Sequence, residues 1–523
     1  MSAFADRLAA ARGGGRRDGS PSRWVFVPSD QLTDSVGPLS ETKPEELGVI
    51  LIETNPEGLR RPDHKQKIVM TLASQRHFAI EQARRGVRVE VLSGEPRPAA
   101  LLMSAVERFG PIEMMEAAER ELRTELDPLV STGQLVVSPN ETWLTTQAQF
   151  EEAFAPDRPW RMDRFYRHVR RELGVMMREG KPQGGKWSFD ADNRKRWSGE
   201  PAVPEPPRFA ADAIKREVAE IVEKRFPGHP GKSDLTSLPA SRREAESLWK
   251  WAREECLPLF GPYEDAMSTR SRGLFHTRAS ALMNNGRLLP RRILDDVLGL
   301  DLPIASQEGF VRQVLGWREF MRHVHVATDG FRSGRVVETN YLDASEPLPA
   351  AFWGETSGLA CLDEVVRDVW ETGYGHHITR LMVLSNLATL LGIDPREVND
   401  WFHAAYVDAY DWVVEPNVLG MGTFALGDLF VTKPYVSGAA YIHKMSDYCK
   451  GCAFSPKNDC PITPLYWDFL GRHKDRLQDN PRMAMPLRGL EKRGEARRQQ
   501  DQVVSRHVRR SLREGARLEP RGE

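Results

Sequence analysis

RWVFVPSDQ, residues Arg23 to Gln31, is the stretch on which the fold reading turns. Four strand-forming residues, Trp24 to Val27, stop at Pro28, and the polar Ser29-Asp30-Gln31 follows, as where a buried parallel strand runs out into a loop. Runs of the same kind recur at Val49 to Ile52, Val87 to Val91 and Leu135 to Val137, alternating with helical stretches such as Gln66 to Arg85 and Ala99 to Arg108. That alternation predicts a doubly wound parallel sheet over residues 23–145. Ligands of such sheets sit outside the carboxyl ends of the strands, which here means Ser29 to Gln31 and Glu53 to Glu57. Neither strand leads into a glycine-rich dinucleotide loop or a Walker-type loop, so an ordinary dinucleotide or ATP site is not expected.

Outward from the sheet the pattern changes on both sides. Residues 1–22 are rich in Ala, Gly and Arg and read as a disordered extension. Residues 146–240 read as a connector, a surface-running segment or linker, with Arg, Trp and Pro abundant and some helix around Arg161 to Arg178. From Ser241 the periodicity is helical: Phe310, Val314, Trp317, Met321 and Val324 share one face. Tyr374 to Leu391 reads as a helix stopped by Gly392, and Asp394-Pro395-Arg396-Glu397 opens another. The fold class is therefore α/β plus all-α, with a helical domain over 241–490 and a charged tail, a solvated helix or frayed end, over 491–523.

Lysine and arginine (73) nearly balance aspartate and glutamate (74), so net charge offers no argument for nucleic acid. No apolar run is long enough to span a membrane, and the expected compartment is the cytoplasm. Of five cysteines, Cys449, Cys452 and Cys460 form a C-x2-C-x7-C run. Such a turn aims two thiolates at one centre, and Cys361 would complete an all-cysteine site for a soft metal; unpaired structural thiols are the alternative. A disulfide framework suits small secreted domains, not this chain. Adjacent His376 and His377 point to different sides of a helix, so one can titrate while the other packs, or both are structural. Asp408 lies among aromatics between Trp401 and Trp412; such a carboxylate is paired, shifted in protonation, or simply solvated. Each tryptophan taken alone, Trp353 and Trp370 included, is an ordinary core residue.

Several long segments carry a resemblance: HKQKIVMTLASQRHF (His64 to Phe78), GGKWSFDADNRK (Gly184 to Lys195), YEDAM (Tyr263 to Met267), GWREFMR (Gly316 to Arg322), Gly373 to Arg380, Gly392 to Met421, Thr432 to Tyr435 and Met445 to Cys452. Together they resemble the bacterial iron-sulfur photolyases, the prokaryotic 6-4 photolyase and iron-sulfur cryptochrome group of the cryptochrome/photolyase family. The resemblance implies a light-dependent enzyme that repairs 6-4 photoproducts in UV-damaged DNA; a cryptochrome-type photoreceptor without repair is the alternative. It implies an antenna-binding sheet domain holding a ribityllumazine near Asp30 and Glu57, and FAD in the helical domain. The FAD positions it suggests are Tyr263, His276, Thr277, Ser280, Gln313, Trp317, Arg318, Tyr374, His377, Arg380 and Asp408. A 4Fe-4S cluster falls to Cys361, Cys449, Cys452 and Cys460. His377 with His376 becomes the proton donor, Tyr435 a lesion contact, and Trp401 with Trp353 the relay for flavin photoreduction. A monomer associated with the bacterial nucleoid through DNA is implied. Phe402 stands where the family commonly has tyrosine, which removes one oxidisable ring.

Overall fold

The computed structural model describes residues 2–12, 21–54, 62–94, 97–154, 159–332 and 339–520. Five strands, β1 (Arg23–Phe26), β2 (Leu47–Thr54), β3 (Arg88–Gly94), β4 (Ile112–Met115) and β5 (Leu135–Ser138), pair in the order β3-β2-β1-β4-β5 with every pair parallel. The central strands β1 and β2 bury both faces. Val25, Val27, Val49 and Leu51 pack against Phe78 and Ala79 of the helix Lys65–Arg85. Trp24, Phe26, Ile50 and Ile52 pack on the opposite face with Leu102 and Leu126, from the helices Pro98–Phe109 and Arg120–Ser131. Gly48 is required where it stands, because a Cβ there would lie 2.4 Å from the Trp24 ring. β4 was not among the expected strands, since Met and Glu interrupt its apolar signal. It nevertheless sits on the far side of β1 from β2, which makes the β1/β4 gap the topological switch point of the sheet.

Four expectations are corrected. Residues Ala3–Ala11, read as part of a disordered extension, form a helix capped by Ser2, with Phe4 and Leu8 buried against the sheet domain. Its alternating apolar residues were too few for a periodic signal, yet Glu217 accepts hydrogen bonds from Ser2 Oγ and the Phe4 N–H and holds it down. The connector is no surface strap: Phe150, Phe165, Tyr166 and Val169 join the large helical core. The charged tail is neither frayed nor wholly solvated: its helix, Glu495–Arg513, buries Asp501, Ser505, Val508 and Leu512, and Ser505 donates to Asp468. The helix expected from Tyr374 begins instead at His377. Glu57 lies outside the described residues.

The helical region shares one continuous core with the inner face of the helix Lys65–Arg85, whose Ile68, Val69 and Met70 belong to it. Ahead of the candidate site, Gly373 ends the helix Ala360–Thr372 at φ 65°, a left-handed turn that side chains resist, and a Cβ there would meet Val407 at 2.7 Å. The chain is thereby turned so that His376 and His377 enter the next element side by side.

Replacing Leu8 by alanine is expected to cost about 2 kcal/mol, the low end for a buried leucine. A urea midpoint identical to the parent protein's would mean that the first helix does not dock.

Candidate flavin and lesion site

Arg380 and Asp408 form a bidentate pair, Nη1 to Oδ1 and Nη2 to Oδ2 both at 3.0 Å. Arg380 Nε also donates to the Gly375 carbonyl at 2.8 Å, and its guanidinium lies 3.8 Å from the Tyr406 ring centre. Ser280 Oγ donates to Asp408 Oδ2 at 2.7 Å, which ties the start of the helix Ser280–Asn284 to the same carboxylate. Arg380 opens a π-helical turn over Arg380–Ser385, a widening that recurs at functional sites. The loop before Ser280 is strained: Leu274 and Arg278, neither of them glycine, hold φ at 42° and 56° on either side of His276-Thr277.

Three imidazoles stand beside this pair. The rings of His276 and His376 stack with centroids 4.5 Å apart, and His377 lies 5.4 Å from His276 and 6.3 Å from His376. Burial drives His276 and His376 well below the usual histidine range, with neighbouring cations adding to it. Burial opposes charge on His377 as well, yet Asp265, 3.7 Å from its Nε2, and the nearby Glu264 outweigh it and raise its pKa. Burial in turn pushes Glu264 up to about 7, while Asn193 and Gln313 donate to its two oxygens. Protonation is thus disfavoured on two rings and favoured on the third, a separation of titrations that marks acid–base sites. Tyr374 is half-buried, with the Arg278 guanidinium 4.8 Å from its ring.

The remaining positions divide. Trp317 and Tyr435 line a cavity of about 290 Å³ together with Tyr166, Trp187, Arg161 and Arg312. Gln313 bridges from that side to Glu264. Arg318 is not with Arg380; it lies between Trp143 and Trp412, 4.3 and 5.1 Å from their rings, and pairs with Glu319. Tyr263 is also outside the histidine group, packed on Phe275 with its hydroxyl toward Glu200 O. Trp401 and Trp353 do not meet directly among the described ring contacts; Trp370, which no motif singles out, touches both.

The fit of a polar ligand can be tested on unsatisfied groups. His276 Nε2, Arg278 Nε, His376 Nδ1 and the Tyr406 hydroxyl are buried without a hydrogen-bond partner. Such atoms each cost free energy unless something pairs with them. Their grouping around Arg380 and Asp408 suits a ligand rich in acceptors and donors.

Cys361, Cys449, Cys452 and Cys460 line one apolar pocket with Leu359, Ile442, Tyr448 and Ile462. Burial and the other three sulfurs push the Cys361 thiol well up, and burial takes Cys460 to about 12. At the switch point, Asp30 accepts from the Ala118 N–H while its Oδ1 has no partner. Glu119 accepts from the Asp411 N–H, so the helical domain closes this crevice. Burial, then the facing Asp411 and Asp30, raise Glu119 far above the carboxylate range, and burial lifts Asp30 to about 6.

Comparison with known proteins fixes the class. The fold is shared with a bacterial class III photolyase from Agrobacterium tumefaciens, at TM-score 0.57 and 15% identity over 95% of this chain and all of that one. A cryptochrome from Synechocystis follows at TM-score 0.55 and 14% identity, covering 82% of this chain and 87% of that one. Residues 25–237 match the model of deoxyribodipyrimidine photo-lyase-related proteins, and 310–427 match the FAD-binding domain of DNA photolyase. A (6-4) photolyase of Agrobacterium fabrum is 33% identical over 486 residues, 89% of this chain and 94% of that protein. The chain belongs to the photolyase family, and its helical domain binds FAD.

Asp30 keeps its proton to about pH 6 when folded, against 3.8 unfolded, so its contribution to stability is full below pH 3.8 and lost as the pH rises to 6. The stability difference between the parent and Asp30→Asn, from urea titrations at several pH values, should fall across that window. A constant difference would contradict the burial argument.

Proposed function

We propose that the chain reverses pyrimidine (6-4) photoproducts in UV-damaged DNA under light, with histidine-assisted proton transfer. The observation that carries this reading is the group of three imidazoles beside the Arg380 and Asp408 pair, with Asp265 3.7 Å from His377 Nε2 and favouring its protonation. Light-driven repair of a simple dimer needs electrons alone, whereas moving an oxygen between bases also needs a positioned acid. The name of the Agrobacterium fabrum relative favours the same lesion and favours repair over signalling.

When bound, FAD supplies the light-driven electron that the lesion accepts and later returns. Arg380 and Asp408, with Ser280, Thr277, His276 and Tyr374, are the residues suited to hold it; the unpaired His276 and His376 nitrogens support that assignment. In the imidazolium of His377 the Nε2 proton faces Asp265, which leaves the Nδ1 proton to be donated. The aromatic cavity around Trp317 and Tyr435 suits a base flipped from the duplex, with Arg161, Arg167 and Arg312 at hand for phosphates. Tyr435 offers its hydroxyl there.

The four cysteines suit a 4Fe-4S cluster better than a single ion. Four thiolates around one zinc sit at about 2.3 Å from it, hence close together. Among the described residues, the groups with three or more ligand atoms within 4.8 Å of one another are His276-His376-His377 and Glu152-His168-Glu172; the sulfurs are more widely spread. Thiols pushed this far toward the neutral form need a cationic centre to ionise them. The antenna, read as a ribityllumazine, is assigned to the switch point, where Asp30 Oδ1 is unpaired. Among the described residues no helix is long and apolar enough to cross a membrane. A monomer working on DNA in the cytoplasm is the accompanying proposal.

His377→Ala should lose about a hundredfold or more in (6-4) repair, the usual worth of a positioned acid, with FAD content unchanged; normal repair would remove its role. Repair should decline as the pH rises through the His377 pKa, and Asp265→Asn should bring that decline to lower pH. Cys361→Ala should lose bound iron, read by metal analysis, and a full iron complement would break the ligand assignment.

A further inference from the structure

We propose that the C-terminal segment is the clasp of the cysteine pocket, and that Leu518 is the positioning residue through which it holds Cys361 in place. The proposal rests on the iron-sulfur reading above and deepens it. Cys449, Cys452 and Cys460 come from one short segment, whereas Cys361 arrives from a remote one, as the second residue of the helix Ala360–Thr372. The four-cysteine set therefore closes only if residues 357–359 present the start of that helix at the right place. Leu359, the residue before the helix, is buried and lines the same pocket.

This loop is fixed from two sides. From within, Asp363 of the first helical turn accepts from the Ser357 N–H at 2.9 Å, the Ser357 hydroxyl at 2.6 Å and the Gly358 N–H at 3.2 Å, and Ser357 Oγ accepts from the Leu359 N–H at 3.0 Å. From without, the Leu518 N–H donates to the Ser357 carbonyl at 2.8 Å. Gly358 holds φ at 87°, and a Cβ there would collide with the Leu518 carbonyl, so the loop is shaped to receive the tail. The tail is shaped to arrive. Gly515, at φ 72°, ends the helix Glu495–Arg513 in a left-handed turn, with the Ala516 N–H donating to the Ser511 carbonyl at 2.8 Å. Arg513 to Arg517 and Glu519 are exposed, yet Leu518 is 4% exposed and shares one core with Leu359, Cys361, Cys460 and Ile462. A single buried leucine in an exposed run anchors the chain at that point. The helix Glu495–Arg513 meanwhile packs along Ile462–Arg472, which starts just after Cys460, and Ser505 donates to Asp468 there at 2.6 Å. One segment thus grips the elements behind both halves of the ligand set.

The apolar shell of a metal centre sets its access to solvent, and ligand loss follows local opening. Unseating Leu518 removes the outer partner of residues 357–359 and admits water beside Cys361. The test uses the full chain purified without oxygen, with bound iron and FAD measured first. Release of iron in air to the ferrous chelator bathophenanthroline disulfonate is then timed. Leu518→Asp should release iron about tenfold faster than the parent or more, as the open state gains population on loss of a buried leucine, while FAD stays bound over the same interval. Leu518→Met, which keeps an apolar side chain of similar volume, should stay within about twofold of the parent. So should Leu8→Ala, within about twofold, because its lost packing lies at the far end of the chain and does not couple to the pocket. Parent-like release in Leu518→Asp would overturn the proposal. Fast release in Leu518→Met or Leu8→Ala would do so too, by showing that general stability, not the seat of Leu518, governs iron retention. Joint loss of FAD and iron in Leu518→Asp would overturn it as well, since the helical domain would then be opening as a whole. A parent protein that holds FAD but no iron would overturn the clasp and count against the iron-sulfur reading itself.

Discussion

The pair between half-buried Arg380 and buried Asp408 joins three segments that are remote in sequence: the helix beginning at Ser280, the turn Gly373 to Arg380, and the loop that carries Asp408. Removing charges from water is costly, and a buried ion pair contributes little net stability for that reason. Its value lies in register. With both carboxylate oxygens and three guanidinium nitrogens engaged, the segments can meet in one arrangement only, and that arrangement sets the three imidazoles, Tyr406 and, through it, Trp401. Loss of either partner would leave an uncompensated charge in the interior, so this position tolerates substitution poorly.

The same economy of charge runs through the rest of the molecule. The Cys361 and Cys460 thiols, the Asp30 and Glu119 carboxyls and two of the three imidazoles are all driven toward their neutral forms by burial. His377 is the exception because two acids face it. A folded chain that holds so many polar groups without partners is less stable than it would be with apolar replacements, and such groups gather where ligands belong.

The sheet was legible because buried parallel strands leave short β-branched runs, and these gave four of five strands. β4 escaped because Ile112-Glu113-Met114-Met115 lacks that composition. Helix docking at both ends of the chain was invisible for a related reason: Phe4 and Leu8, or Val508 and Leu512, are two apolar residues among many charged ones, and only the partner surface shows that they are buried. Arg380, Asp408 and the histidines came from motifs, and the structure gathers them. Motif reading did not supply Trp370 or Glu119, and it contained Asp265 without giving it a role, because their importance comes from what other segments place against them. Arg318 shows the converse, a motif residue that the fold uses elsewhere.

The helix Ala213–Arg225 belongs to two neighbourhoods at once. Ile214 is buried with the sheet, Val218 and Val222 are buried with the helical core, and Glu217 fastens the first helix of the chain and pairs with Arg76. The sheet domain as a body therefore does not end where its last strand ends. Genetic recombination between related genes at the codon for residue 145 would give each offspring a sheet from one parent and its covering helix from the other. A viable exchange has to carry the span through Arg225, and the stretch 25–237 recognised as one family unit has the length such an inheritance requires.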